Sequence, residues 1–211
     1  MVVVSTASSL TAWAGEKDIV ILYTNDIHCA IEDNEGLAGL VKLKKDTFAK
    51  TPYVALVDAG DAIQGSPIGS LSRGEVFTRL MNNVGYDFAI PGNHEFDYGQ
   101  AGRIQVTDVW AEYDYVSCNF YHEENGIPGN SVLDSYKIFE INGTKVAFIG
   151  ITTPETITSS APSYFQDADG NYIYGIAAGA DGSALYNAVQ TAIDSAKTEG
   201  ADYIIALGHL G

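Results

Sequence analysis

The run Asp87-Phe88-Ala89-Ile90-Pro91-Gly92-Asn93-His94-Glu95-Phe96-Asp97 decides how the rest of this 211-residue chain is read. Asp87 to Ile90 is a short apolar segment closed by a Pro-Gly turn, which reads as a buried strand. Strand ends that open into such loops are where α/β proteins hold reactive side chains. Between Asn93 and Asp97 the loop offers an amide, an imidazole and two carboxylates. Taken alone it could equally be a polar loop with an Asn turn and a helix-capping Asp97. Its surroundings have to decide.

Upstream, residues 18–24 are a β-rich run that stops at Asn25-Asp26-Ile27-His28. Residues 53–58 form a second such run, ending in Ala59-Gly60-Asp61. Leu37, Leu40, Val41, Leu43 and Phe48 are spaced for a helix over 36–50 with one buried face, and residues 75–84 read as a short helix. Downstream, the pattern predicts a helix from about Tyr98, a strand over 115–119 and a polar loop over 121–130. Residues 136–141 and 144–149 flank Asn142-Gly143, the signature of a hairpin with a type I′ turn. Residues 152–180 read as a long irregular loop, and loops of that length are normally functional or lids. Residues 181–198 carry Leu185, Ala188, Val189, Ala192, Ile193 and Ala196 on one helical face, with Gly200 just past the end. The final strand, 201–207, runs into Gly208-His209-Leu210-Gly211. Alternating strands and helices indicate an α/β fold, and the hairpin makes its sheet mixed. An end at a strand terminus, with no closing helix, reads as a truncation.

Composition narrows the partners. Hydrophobic residues make up 46% and charged residues 18%, ordinary values for a folded protein. The 11 basic and 27 acidic residues give a net charge of −16, which repels nucleic-acid backbone and anionic lipid. A small anionic substrate is repelled too, unless bound cations invert the local field. No stretch approaches the roughly 18 apolar residues of a membrane span. Residues 1–15 contain Ala12-x-Ala14, which fits a secretory cleavage site and suggests export, although a basic n-region is missing and a disordered leader fits as well. Cys29 and Cys118 are too few for a disulfide framework and read as buried free thiols.

Four strand ends therefore carry polar groups: Asp26 with His28, Asp61, Asn93 with His94 and Asp97, and His209. Carboxylate, imidazole and amide oxygen form a mixed O/N set suited to Mn, Zn, Fe or Co rather than to a thiolate site. Alternation along an extended segment would put Asp26 and His28 on one side, where they could grip one ion. Asp61, at a Gly-Asp turn, could bridge two. Two ions roughly 3.5–4 Å apart activate water and neutralise a phosphoryl group. Singly, Asp26 could be an Asx-turn residue, Asp61 a helix cap and His209 a satisfied core histidine. Three of the four histidines at strand C-termini, each beside Gly, Asp or Asn, are hard to obtain from structure alone. His122 receives no role.

Asp26-Ile-His28, Gly60-Asp61, Gly92-Asn93-His94-Glu95 and Gly208-His209 resemble the successive motifs of calcineurin-like metallophosphoesterases. More narrowly, residues 24–28, 60–67 and 92–97 resemble the exported bacterial 5′-nucleotidase family, which includes UDP-sugar hydrolases and 2′,3′-cyclic nucleotide phosphodiesterases. The resemblance implies an α/β four-layer sandwich, two mixed sheets flanked by helices, C-terminally incomplete here. It implies two divalent ions (Mn, Zn, Co or Fe), with Asp26 and His28 on the first, Asp61 bridging, and Asn93 and His209 on the second. His94 would stabilise charge on the phosphate rather than bind metal, oriented by Asp97. The substrate would be a nucleotide or related phosphate ester, with UDP-sugar or cyclic-nucleotide hydrolysis as the alternative and a non-catalytic surface binding protein as a further one. Residues 16–211 would lack the family's last metal-ligand motif and its C-terminal nucleotide-binding domain, leaving this chain weak or inactive alone.

Overall fold

The computed structural model describes residues 2–4, 15–32 and 36–210. The cleavage-site residues Ala12 and Ala14 lie outside these. In chain order the elements are β1 (Val2–Val4), β2 (Val20–Thr24), α1 (Gly36–Phe48), β3 (Val54–Asp58), α2 (Pro67–Ser72), α3 (Glu75–Val84) and β4 (Phe88–Ala89). A 3₁₀ turn over His94–Phe96 precedes α4 (Gly99–Ile104), which continues as a π-helical segment to Trp110. Then come β5 (Asp114–Tyr115), β6 (Phe120–Glu124), β7 (Ile127–Ser131), β8 (Tyr136–Ile141), β9 (Thr144–Thr152), α5 (Thr156–Ser159), β10 (Tyr174–Ile176), α6 (Ser183–Thr198) and β11 (Tyr203–His209).

Strands β1 to β5 form one wholly parallel sheet in that order, while β11-β9-β8 is a second, mixed sheet. Period-2 alternation sorts the side chains of both into layers. Val20, Leu22, Leu56 and Ala89 face α1 and α3, meeting Leu40, Leu43, Phe77 and Met81. Ile21, Ala55, Val57, Phe88 and Ile90 face the other way, onto Val146, Phe148 and Leu207 of the second sheet. The outer face of that sheet, with Ile149, Ile151 and Ile204, takes the apolar stripe of α6. The result is helix, sheet, sheet, helix. Such two-sided burial explains why β2 and β3 read as nearly continuous apolar runs.

The Asn142-Gly143 hairpin forms as expected, with φ of 55° and 72° at the turn. Three expectations need correction. The strand expected over 115–119 leaves the first sheet after Tyr115: Val116 bridges to Asp134, and the Cys118 N–H donates to the Gly150 carbonyl. The crossing chain lies so close to β9 that a Cβ on Gly150 would sit 2.2 Å from the Val116 carbonyl oxygen. The polar loop expected over 121–130 is the β6–β7 hairpin, turning at Asn125-Gly126. Its second strand is exposed throughout, so no alternation marked it. Finally, the stretch 152–180 holds α5, a 3₁₀ turn over Pro162–Phe165, and β10 paired antiparallel with β6.

Candidate metal centre

The loops that leave β2 and β3 stay zipped after the strands end. The Ala59 N–H donates to Thr24, Asp26 to Gly60, His28 to Asp61 and Cys29 to Ala62, at 2.7–3.0 Å. This register holds Asp26, His28, Cys29 and Asp61 at φ of 49–59°, the left-handed region that costs a non-glycine residue ~1–2 kcal/mol. Asp26 and His28 do share one side, with Oδ1 and Nε2 3.7 Å apart. The cause is this pair of left-handed turns, not the extended alternation expected from sequence.

A residue to which the sequence reading gave no role organises the next corner. Glu95 is buried, and its carboxylate accepts the N–H groups of Asp61 (2.8 Å), Ala62 (2.9 Å) and Gly92 (2.7 Å). It therefore bolts the Gly60-Asp61 turn to the Gly92-Asn93 turn. Burial pushes its carboxyl up, reinforced by the charge on Asp61 and opposed by those three bonds. The signal that could have found it was an acidic residue in a segment packed at a strand end, where backbone N–H groups need acceptors. The approach is close enough that a Cβ on Gly92 would lie 2.2 Å from Asp61 Oδ1. Asp58 completes the scaffold, taking the Thr24 hydroxyl at 2.5 Å and the Gly60 N–H at 2.9 Å.

Asp61 is the hub. Its Oδ1 accepts the His94 N–H at 2.8 Å, and its Oδ2 lies 3.2 Å from His209 Nε2 and 4.0 Å from His28 Nε2. Burial raises the Asp61 carboxyl, but the His209 hydrogen bond and the His94 N–H outweigh it and hold the group below its ordinary value. The same hydrogen bond lifts His209 to about 9 despite burial. His209 is steered by its other nitrogen, 3.0 Å from the Ala59 carbonyl, and His28 likewise by Gln64 at 2.9 Å. His209 comes from β11, so the site straddles two sheets rather than lying on the edge of one. Asn93 opens the 3₁₀ turn over His94–Phe96, half-buried, with its carbonyl accepting the Phe96 N–H.

The donor set fits divalent metal. Two groups have ligand atoms mutually within 4.8 Å, Asp26-Asp61-His209 and His28-Asp61-His94, and Asp61 belongs to both. Bonds of about 2.0–2.2 Å in tetrahedral or octahedral geometry make ligand–ligand edges of roughly 3.0–3.5 Å. His209 and Asp61 meet this at 3.2 Å, while Asp26–His28 at 3.7 Å and His28–Asp61 at 4.0 Å would have to close slightly. His94 is already engaged: its Nδ1 is 2.6 Å from Asp97 Oδ2, and its ring lies edge-on to His28 with centroids 5.1 Å apart. Burial would lower the His94 imidazole, but the Asp97 hydrogen bond and the charges of Asp61 and Asp97 prevail and raise it. His122 sits elsewhere, on β6 against Tyr174. Cys29 and Cys118 are both buried and free, their thiols pushed up by burial to about 12 and about 11.

With this geometry in hand, the likenesses to known proteins are specific. Residues 19–211 match the calcineurin-like phosphoesterase family. Protein UshA of Escherichia coli (strain K12) is 33% identical over 218 residues, covering 98% of this chain and 37% of the relative. Snake venom 5′-nucleotidase of Gloydius brevicauda is 30% identical over 220 residues, covering 97% and 35%. The chain thus spans about a third of the length of these curated relatives. Among solved structures, the calcineurin-like phosphoesterase YfkN from Bacillus subtilis superposes with a TM-score of 0.71 at 28% identity, over 90% of this chain and 61% of that one. A 5′-nucleotidase precursor from Thermus thermophilus gives 0.71 at 26%, over 90% and 37%.

Proposed function

The chain belongs to the calcineurin-like phosphoesterase family, and from that premise we propose that it carries metal-binding residues of a nucleotide phosphohydrolase of the 5′-nucleotidase type. The observation that carries this reading is Asp61, whose Oδ2 faces the imidazoles of His28, from the loop after β2, and of His209, at the end of β11, while its backbone is bolted in place by Glu95. Asp26 and His28 would hold one divalent ion, Asn93 and His209 the second, with Asp61 shared. Such ions, when bound, polarise a phosphoryl oxygen and lower the pKa of water. They also offset a net charge of −16 that otherwise repels a phosphate ester.

The chain's own residues then divide the work. Asp61, kept ionised by its imidazole neighbours, supplies fixed negative charge at the centre of the site. His94 is not a ligand in this reading. Its Nδ1 is tied to Asp97, which turns Nε2 away from that carboxylate and favours the imidazolium, so the ring can donate to a phosphate oxygen as negative charge develops there. Substrate recognition is assigned to none of these residues, and with few donors per ion we expect weak turnover from the 211 residues alone. Among the described residues no helix is long and apolar enough to cross a membrane. Export is proposed from the Ala12-x-Ala14 pattern and the likeness to a venom protein.

The test is hydrolysis of AMP, UDP-glucose and 2′,3′-cyclic AMP by this chain with Mn²⁺ or Zn²⁺, beside a full-length relative. Faster hydrolysis of AMP to adenosine and phosphate than of UDP-glucose to UMP and glucose 1-phosphate, or of 2′,3′-cyclic AMP to the monoester, supports the nucleotidase type. Preference for either of the others moves the assignment to that ester. Absence of both metal binding and hydrolysis would instead favour a binding protein. His94→Ala should lower turnover by about 10²–10³-fold, the scale for losing one charge-stabilising donor, while metal content measured by elemental analysis stays unchanged. Loss of metal in that variant would make His94 a ligand.

A further inference from the structure

The segment between β9 and β10 touches the proposed site at one polar point. Ser160 closes the short helix α5 with φ −81° and ψ −107°, away from helical and extended geometry. Its hydroxyl donates to the Asn93 carbonyl at 2.7 Å and lies 3.3 Å from Asp97 Oδ1. The other Asp97 oxygen, Oδ2, is the one that takes His94 Nδ1. Asp97 therefore has one oxygen on the imidazole and one on a hydroxyl from a distant part of the chain.

Two apolar anchors fix the height of that hydroxyl. Phe165 is fully buried and packs on Phe96, next to Asp97, with centroids 5.3 Å apart. Tyr164 lies over Gly99, two residues past Asp97, close enough that a Cβ there would meet its ring at 3.4 Å. The segment is thus pinned on both sides of Asp97.

We propose that Ser160 is a positioning residue for the His94–Asp97 pair, setting the plane of the Asp97 carboxylate and through it the direction of the imidazole. A carboxylate held at one oxygen can still turn about its terminal torsion, which is broad and soft. A second contact on the other oxygen removes that freedom. The single Ser160 O–H is shared between the Asn93 carbonyl at 2.7 Å and Asp97 Oδ1 at 3.3 Å, the branch to the carboxylate being the longer. Partners one step removed from a reacting group commonly control its orientation. The inference rests on the reading of His94 and Asp97 as the phosphate-facing pair.

The test is proton NMR on the metal-free 211-residue chain, following the His94 Nδ1–H resonance, identified by its loss in His94→Gln. In the wild-type chain this proton should be shifted downfield and slow to exchange with water. Ser160→Ala should move it upfield and speed its exchange by about tenfold or more, with backbone amides outside residues 93–99 and 156–165 unmoved. Ser160→Thr keeps the hydroxyl and should restore the wild-type signal. If Ser160→Ala does not fold, Ser160→Cys, nearly isosteric and a weak donor, is read the same way. The proposal is overturned if Ser160→Ala leaves shift and exchange rate at wild-type values. It is equally overturned if a folded Ser160→Thr behaves like alanine, or if the wild type has no protected Nδ1–H. The measurement needs neither metal nor substrate, so a chain that neither binds metal nor hydrolyses any of the three esters sinks the functional reading, whereas an unmoved resonance sinks this one.

Discussion

The proposed metal site has two corners built in opposite ways. At one, Asp61 and His209 are buried, their side chains 4% and 8% exposed, and the N–H groups of Asp61, Gly92 and His94 each donate to a carboxylate. At the other, Asp26 and His28 are 49% and 37% exposed and are held mainly by the backbone zip to the Gly60–Ala62 loop. The first corner is already arranged before any ion arrives, because its packing and hydrogen bonds are part of the fold. The second must freeze exposed side chains when it binds, at a cost in rotamer entropy. A substitution in the buried corner should therefore disturb both folding and metal binding, and one in the exposed corner metal binding alone.

Removing the shared oxygen should have the largest effect. Asp61→Ala is expected to abolish both Mn²⁺-binding events in isothermal titration, a loss of more than about 100-fold at each. One event surviving at wild-type affinity would show that the two ligand groups do not share Asp61. Next comes the bolt behind it. Glu95→Gln puts an amide donor against backbone N–H groups, so stability in urea should fall by about 1–3 kcal/mol. Metal affinity should fall by roughly 10–100-fold, the usual range for groups that support ligands. Stability lost with affinity intact would reduce Glu95 to a structural residue and erase the contrast between the corners. Asp26→Ala should do least: weaker binding of one ion by about tenfold, with stability within ~0.5 kcal/mol of wild type, as expected for an exposed site. A destabilisation beyond about 1 kcal/mol there would mean the exposed corner also helps to hold the fold.

How much was legible depends on whether the information was local. Strands β2 and β3, the Asn142-Gly143 hairpin and α6 could be read because apolar periodicity or turn chemistry lies within each segment. The β6–β7 hairpin could not, although Asn125-Gly126 repeats the turn signal, because an exposed strand with Pro128 and Gly129 has no buried face to alternate. The turn from first sheet to second at Val116 depends on Gly150, more than thirty residues away. Among site residues, Asp26, His28, Asp61, Asn93, His94, Asp97 and His209 stood out as ligand-type groups at strand ends. The structure brings Asp26, His28, Asp61, His94 and His209 together, with Asp97 on His94 and Asn93 at the head of the turn that carries it. Glu95 stood in the same motif without a role, since nothing in its own sequence neighbourhood shows that its partners are the N–H groups of a loop some thirty residues earlier.

By itself the sequence determined the α/β alternation, the inventory of metal-type donors and the acidic character that repels an anionic substrate unless cations are bound. Only the tertiary structure decided that His209 reaches Asp61 from a second sheet, that left-handed turns rather than strand alternation pair Asp26 with His28, and that Glu95 and Ser160 hold the loops in place. The reason is that composition and periodicity act within a few residues, whereas a site is defined by the angles between loops. Those angles are set by hydrogen bonds and close contacts across the packed interface between sheets, where each partner is chosen by a distant part of the chain.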